Sequence, residues 1–135
     1  MVDLADRVSA CVLGLALGDA LGAPFEFRRS RTIPDPLPAF ELPWMGSPPG
    51  TTTDDTAMAR NLVRSLAARG GFDAEDLAER HVAWYRSGPP DVGNQTRLAL
   101  AAIARGEPVA DASRRVFERR GPEVSAGNGS VALCT

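Results

Sequence analysis

Two adjacent carboxylates, Asp54 and Asp55, stand in the run GTTTDDTAMA, with Thr53 before them and Thr56 after. Like charges side by side repel, so their placement asks for a compensating positive field. A helix N-terminus supplies one, because its first N–H groups lack intrahelical partners and carry partial positive charge. An apolar helical pattern begins just downstream. Thr53 as the cap and aspartate in the first turn would each contribute up to ~1 kcal/mol to an ordinary helix start. The same residues also suit a cation. At the first turn, neighbouring side chains still converge beyond the helix end, where Thr53, Asp54 and Asp55 would present hard, anionic oxygens. Such a set fits Mg²⁺ or Mn²⁺, whereas zinc would ask for histidine or thiolate. On this segment alone, both readings stand.

The elements that must hold these residues are helical. The helix that starts near Asp54 should run to Arg69, where Gly70-Gly71 stops it, with Met58, Leu62, Val63 and Leu66 facing a core. Upstream, a helix from about Asp3 to Leu21 carries an apolar stripe of Val8, Val12 and Leu15. Asp19, four residues after Leu15, extends that stripe, and a carboxylate there must find a partner. Gly14, Gly18 and Gly22 recur on another face, which points to close approach of a second backbone. The apolar run ACVLGLALGDALGAP is interrupted by Asp19 and preceded by Asp3 and Asp6, so it reads as a buried helix and neither a secretory signal nor a membrane span.

Between Arg28 and Gly50, dense proline precludes helix, yet Phe40, Leu42, Trp44 and Met45 are apolar, which predicts a loop packed on the body. A third helix starts at Asp73, with Asp76 three residues on and Phe72 set to staple on Leu77. It places His81, the single histidine, on one stripe with Leu77 and Trp84, as a partly buried residue. A fourth helix spans about Asn94 to Arg105, and a fifth about Val109 to Arg119. The ending GNGSVALCT reads as the opening of a sixth. No stretch alternates strictly, so the expectation is an all-α bundle around one core.

The totals narrow the function classes. A chain of 135 residues fits one domain. Seventeen acids against fifteen bases, with no basic run, give no electrostatic case for nucleic acid. Cys11 and Cys134 make no disulfide framework, so the expected compartment is a reducing cytoplasm, with no membrane partner.

Three further segments flank the acidic pair in order: GLALGDALGAPFEF before it, WYRSGPPDVGNQTRLAL after it, and SAGNGS near the end. Together the four motifs resemble the ADP-ribosylglycohydrolase family, from Val8 to Ser130. The resemblance implies an all-α fold and a binuclear Mg²⁺ (or Mn²⁺) centre. It implies hydrolysis of the glycosidic bond between ADP-ribose and an acceptor, so the expected partner is an ADP-ribosylated protein or a small ADP-ribose conjugate. By motif, Thr53, Asp54 and Asp55 match metal ligands, and Glu26 and Asp55 match catalytic residues. Asp91 and Gly93 match the part that lines the ribose and phosphates, and Ser125, Ala126, Gly127 and Asn128 match the phosphate-binding loop. Glycine-rich chain opening a helix offers N–H donors to a diphosphate.

Family members are longer and carry a distal Asp-x-Asp motif that these residues do not supply. The expectation is therefore the N-terminal portion of a single domain, residues 1–135, with a truncated and impaired centre. The alternative is a non-catalytic ADP-ribose-binding or structural helical protein.

Overall fold

The computed structural model describes residues 3–121, and among these it holds five α-helices and no strand. They are α1 (Leu4–Gly22), α2 (Asp54–Arg69), α3 (Ala74–Arg86), α4 (Asn94–Ile103) and α5 (Val109–Arg120). Single 3₁₀ turns lie at Ala23–Phe25 and Ser30–Thr32. The all-α expectation holds. The chain divides into two compact units between Thr56 and Ala57, inside the first turn of α2.

The first unit is built from α1 and the proline-rich segment. Pro24, which donates no backbone hydrogen bond, turns α1 into the 3₁₀ turn, and the N–H of Ala23 closes the helix on the carbonyl of Asp19. Ala20, Ala23, Phe25 and Trp44 are its buried apolar residues, joined by Thr53. Two expectations fail here. The stripe of Val8, Val12 and Leu15 is not fully buried: Val8 is 51% exposed, Val12 and Leu15 are half-buried, and Ala20 is the one buried residue of α1. Nor, among the described residues, does a backbone approach the glycine face, since a Cβ at Gly14, Gly18 or Gly22 would meet nothing there within 4 Å. Both features were read from composition, which reports what a face is suited to and not what covers it. By length and composition alone, Leu4–Phe25 (mean hydropathy 1.6) is able to cross a bilayer, a signature shared with core helices of soluble proteins. Asp19 inside that stretch is engaged by the first turn of α2, a partner hydrocarbon does not offer.

The second unit packs α3, α4 and α5 on one another around Ala78, Val82, Leu100, Ala102, Ala112 and Val116. Asp73 caps α3 as its sequence predicts, accepting from the N–H of Asp76 at 3.0 Å. It also takes Arg69 Nε at 2.8 Å, clamping the end of α2 where Gly70 turns the chain at φ +71°. Arg80 grips Asp76 with two hydrogen bonds and draws that carboxyl down to about 2. The staple is looser than predicted, with Phe72 73% exposed.

The face that α2 buries is also different. Ala57, Asn61 and Ser65 are buried, while Val63 and Leu66 are exposed. The reason is polar pairing with α3. Asn61 Nδ2 donates to the carbonyl of Arg80 and faces Nδ1 of His81, both at 3.3 Å. That places His81 among buried groups as expected, and burial lowers its proton affinity below the usual value. A neutral ring accepting through Nδ1 fits this pair; a protonated one would oppose two donors. The unfolded chain then binds a proton that the folded chain refuses, so His81's contribution is present above pH 6.5 and is lost as pH falls below it. Melting curves between pH 7.5 and 6 should show the midpoint falling with pH, and His81→Gln should flatten that slope.

Candidate functional site

The acidic pair lies where the sequence places it, in the first turn of α2. What fixes that turn is a carboxylate from another helix. Asp19 Oδ2 accepts the backbone N–H of Thr53 at 2.8 Å, the backbone N–H of Thr56 at 3.2 Å and the hydroxyl of Thr56 at 2.5 Å. Thr53 adds a local bond: its hydroxyl accepts the N–H of Asp55 at 3.3 Å. Two otherwise unpaired N–H groups thus go to a side chain 34 or more residues upstream, and a third goes to the local threonine. The half-buried aspartate of α1 has found its partner, and it braces the site from behind.

This brace leaves the neighbouring carboxylates in a crowded field. Asp55 is pushed above the ordinary aspartate value by loss of water around its carboxyl, then by the charge of Asp54, then by that of Asp19. The residue keeps an exposed surface, so the crowding is electrostatic at an open edge. An arrangement that raises the cost of its own negative charge is relieved by a cation. The donor chemistry fits a hard one, with two carboxylates and one hydroxyl at the helix start. It is a partial set: among the described residues no group of three or more histidine, cysteine or acidic side chains gathers to hold a metal ion.

Glu26 belongs to the same unit. It follows the 3₁₀ turn, its N–H donates to the carbonyl of Ala23 at 3.1 Å, and its Oε2 accepts the indole N–H of Trp44 at 3.2 Å. Arg28 lies over the Phe25 ring, 5.8 Å from its centroid. Asp91 and Gly93 belong to the second unit, in the segment entering α4. Gly93 is the N-cap of α4, and having no side chain it makes no side-chain cap bond of its own. Ser125, Ala126, Gly127 and Asn128 lie outside the described residues. A separate apolar groove of about 290 Å³ in the second unit is lined by residues such as Leu77, His81, Leu100, Val109 and Val116. None of the candidate site residues lines it.

Sequence reasoning missed the role of Trp44 and the identity of Asp19's donors. The signal for the second was present: threonines on both sides of the aspartate pair, and one unexplained carboxylate on an apolar helix.

Comparison with known proteins bears on these motifs. An ADP-ribosyl-[dinitrogen reductase] glycohydrolase of Rhodospirillum rubrum is 37% identical over 134 residues, covering 96% of this chain and 42% of that protein. The ADP-ribosylarginine hydrolase Tri1 of Serratia proteamaculans is 37% identical over 106 residues, covering 70% and 28%. A solved structure described as an ADP-ribosylglycohydrolase-related protein complex superposes with a TM-score of 0.70 at 38% identity, over 95% of this chain and 40% of that one. The chain therefore spans about two-fifths of the length of the first of these relatives and of the solved structure. The sequence profile of the ADP-ribosylglycohydrolases matches residues 1–135, which include the braced acidic turn, Glu26 and the glycine-rich segment, and the chain belongs to that family.

Proposed function

We propose that this chain carries part of the centre of a Mg²⁺- or Mn²⁺-dependent hydrolase that cleaves ADP-ribose from a protein side chain or a small acceptor. The observation that carries the reading is the first turn of α2, where Asp19 fixes the backbone and leaves Asp54 and Asp55 beside the Thr53 oxygen under mutual repulsion. Thr53, Asp54 and Asp55 would hold the cation. When bound, the metal supplies charge that polarises ribose hydroxyls or water. Glu26 then holds the attacking water and accepts its proton as the oxygen bonds to the anomeric carbon. The bond to the acceptor breaks in the same reaction, and the acceptor leaves with a proton. By motif, Asp91 and Gly93 would receive ribose and phosphate oxygens. Ser125, Ala126, Gly127 and Asn128 complete the phosphate loop in this reading.

Mg²⁺ demands near-octahedral oxygen ligation, and two carboxylates with one hydroxyl leave most of that shell to water. Weak metal binding and slow turnover are therefore expected of these 135 residues. The experiment is calorimetry of the chain with ADP-ribose, with and without Mg²⁺, beside release of ADP-ribose from an ADP-ribosylated peptide. Metal-dependent binding with slow release that Asp55→Asn abolishes supports the hydrolase. Binding indifferent to metal favours the non-catalytic ADP-ribose-binding reading. Absence of binding at any metal concentration defeats both.

A further inference from the structure

Trp44 lies in a segment where regular structure is impossible, with Pro34, Pro36, Pro38, Pro43, Pro48 and Pro49 around it. It is nevertheless 5% exposed, as buried as the helical core, while Phe40 and Met45 of the same segment are exposed. A local device fixes it. Trp44 and Ser47 exchange both backbone hydrogen bonds, at 3.2 and 2.7 Å, across Met45 and Gly46. Those two residues have φ of +44° and +80°, the left-handed pair of a type I′ turn, which is easy for Gly46 and costly for Met45. A chain that holds a methionine in that region is giving up local stability to place something. The thing placed is the indole, whose N–H reaches Glu26 Oε2 at 3.2 Å.

The acceptor is equally well anchored. The N–H of Glu26 donates to Ala23, the N–H of Ala23 donates to the carbonyl of Asp19, and the carboxylate of Asp19 holds the first turn of α2. Glu26 thus stands two backbone hydrogen bonds from the residue that braces the acidic pair. Glu26 is exposed at the residue level, and a solvent-facing glutamate has several rotamers open to it. A hydrogen bond from the buried indole favours those that bring Oε2 to it.

We propose that Trp44 is a positioning residue for Glu26: its indole N–H sets the carboxylate orientation in which Glu26 meets ADP-ribose. The proposal rests on the hydrolase reading above. An indole is suited to the task because it donates one hydrogen bond in one direction and accepts none. Holding the group in advance removes that ordering cost from the step in which it acts.

The test uses the whole chain labelled with ¹⁵N. Two tryptophans give two indole N–H signals, and Trp44→Phe assigns them. Without ligand, Glu26→Ala should move the Trp44 signal and speed its exchange with water, while Trp84 stays still. Glu26→Gln, which keeps a carbonyl acceptor, should restore most of the wild-type position. With an ADP-ribosylated peptide and Mn²⁺, Trp44→Phe should lower kcat about tenfold, part of the ~10²–10⁴ that a positioned proton-transfer group supplies. Trp44→Phe thins a buried side chain and so also lowers the melting temperature. Assayed well below both melting transitions, KM should stay near the wild-type value. Adding Glu26→Gln to Trp44→Phe should lower kcat by less than the product of the two single losses, which a purely structural tryptophan would not give. A Trp44 signal that ignores Glu26→Ala overturns the proposal, and so does an unchanged kcat in Trp44→Phe. If the wild-type chain neither binds nor cleaves, the hydrolase reading falls and takes the functional role of Trp44 with it. The ligand-free spectra then still decide whether the indole holds the carboxylate, so the two failures are told apart.

Discussion

Asp19→Ala should lower the melting temperature by about 10 °C, the largest loss expected of any single substitution in the first unit. One carboxylate oxygen accepts three hydrogen bonds from Thr53 and Thr56, two of them from the backbone at the start of α2. Hydrogen bonds to a charged acceptor are worth ~1.5–3 kcal/mol each in favourable settings, and loss of an N-terminal cap costs ~0.5–2 kcal/mol. The three bonds share one acceptor at a half-buried site, so they do not add fully, and a total of about 2–4 kcal/mol is reasonable. Asp19→Asn keeps an oxygen in place and should recover part of the loss. Thermal melts of the three proteins check the ordering. A melting temperature for Asp19→Ala within 2 °C of wild type, a limit of about half a kcal/mol, would remove the brace from the account.

Asp55→Asn should act in the opposite direction on stability and strongly on metal. The folded chain holds the Asp55 proton more tightly than the unfolded chain does, because burial and the charges of Asp54 and Asp19 disfavour its ionised form. Between the unfolded value near 3.8 and the raised folded value, the folded state binds more protons, so stability falls as pH rises. Above that window the cost is complete. Asparagine removes it, and a modest rise in melting temperature at pH 7 is expected, shrinking toward zero at pH 3. The same change takes away half of the paired negative charge, so Mn²⁺ affinity should fall roughly tenfold or more, about 1.4 kcal/mol per decade. Paramagnetic titration with Mn²⁺ reads the affinity, and melts at pH 3 and pH 7 read the stability. A substitution that weakens Mn²⁺ without stabilising the apo chain would mean that the repulsion is not felt in the fold.

Much of this was legible because it is local. Asp73, Asp76 and the glycines after Arg69 set the ends of α2 and α3, and TTTDDT marks the start of α2 within one turn. The face of α2 was misread because Met58, Leu62 and Leu66 follow the apolar period, while the contact is made by Asn61 and Ser65. A polar pair such as Asn61 with His81 is invisible to a hydrophobic pattern, since its stability comes from a partner twenty residues away. The same holds for Trp44, whose neighbours in sequence are exposed and whose hydrogen bond spans eighteen residues of loop. For α1, the spacing of Val8, Val12 and Leu15 described a face able to be covered, and a pattern within one helix does not say what packs on it. The aspartate pair itself was readable as either cap or ligand. Asp19 resolves part of that choice, because it takes the backbone donors that the pair would otherwise satisfy.

The tether from Asp19 to the turn after it gives α1 a mechanical part in the chemistry. Residues 34 and 37 positions apart share one joint, so any tilt of the C-terminal end of α1 swings the threonine and both acids together, like the pans of one balance. Tuning of the donor set then need not touch the donors: substitutions along α1 are enough to re-aim them.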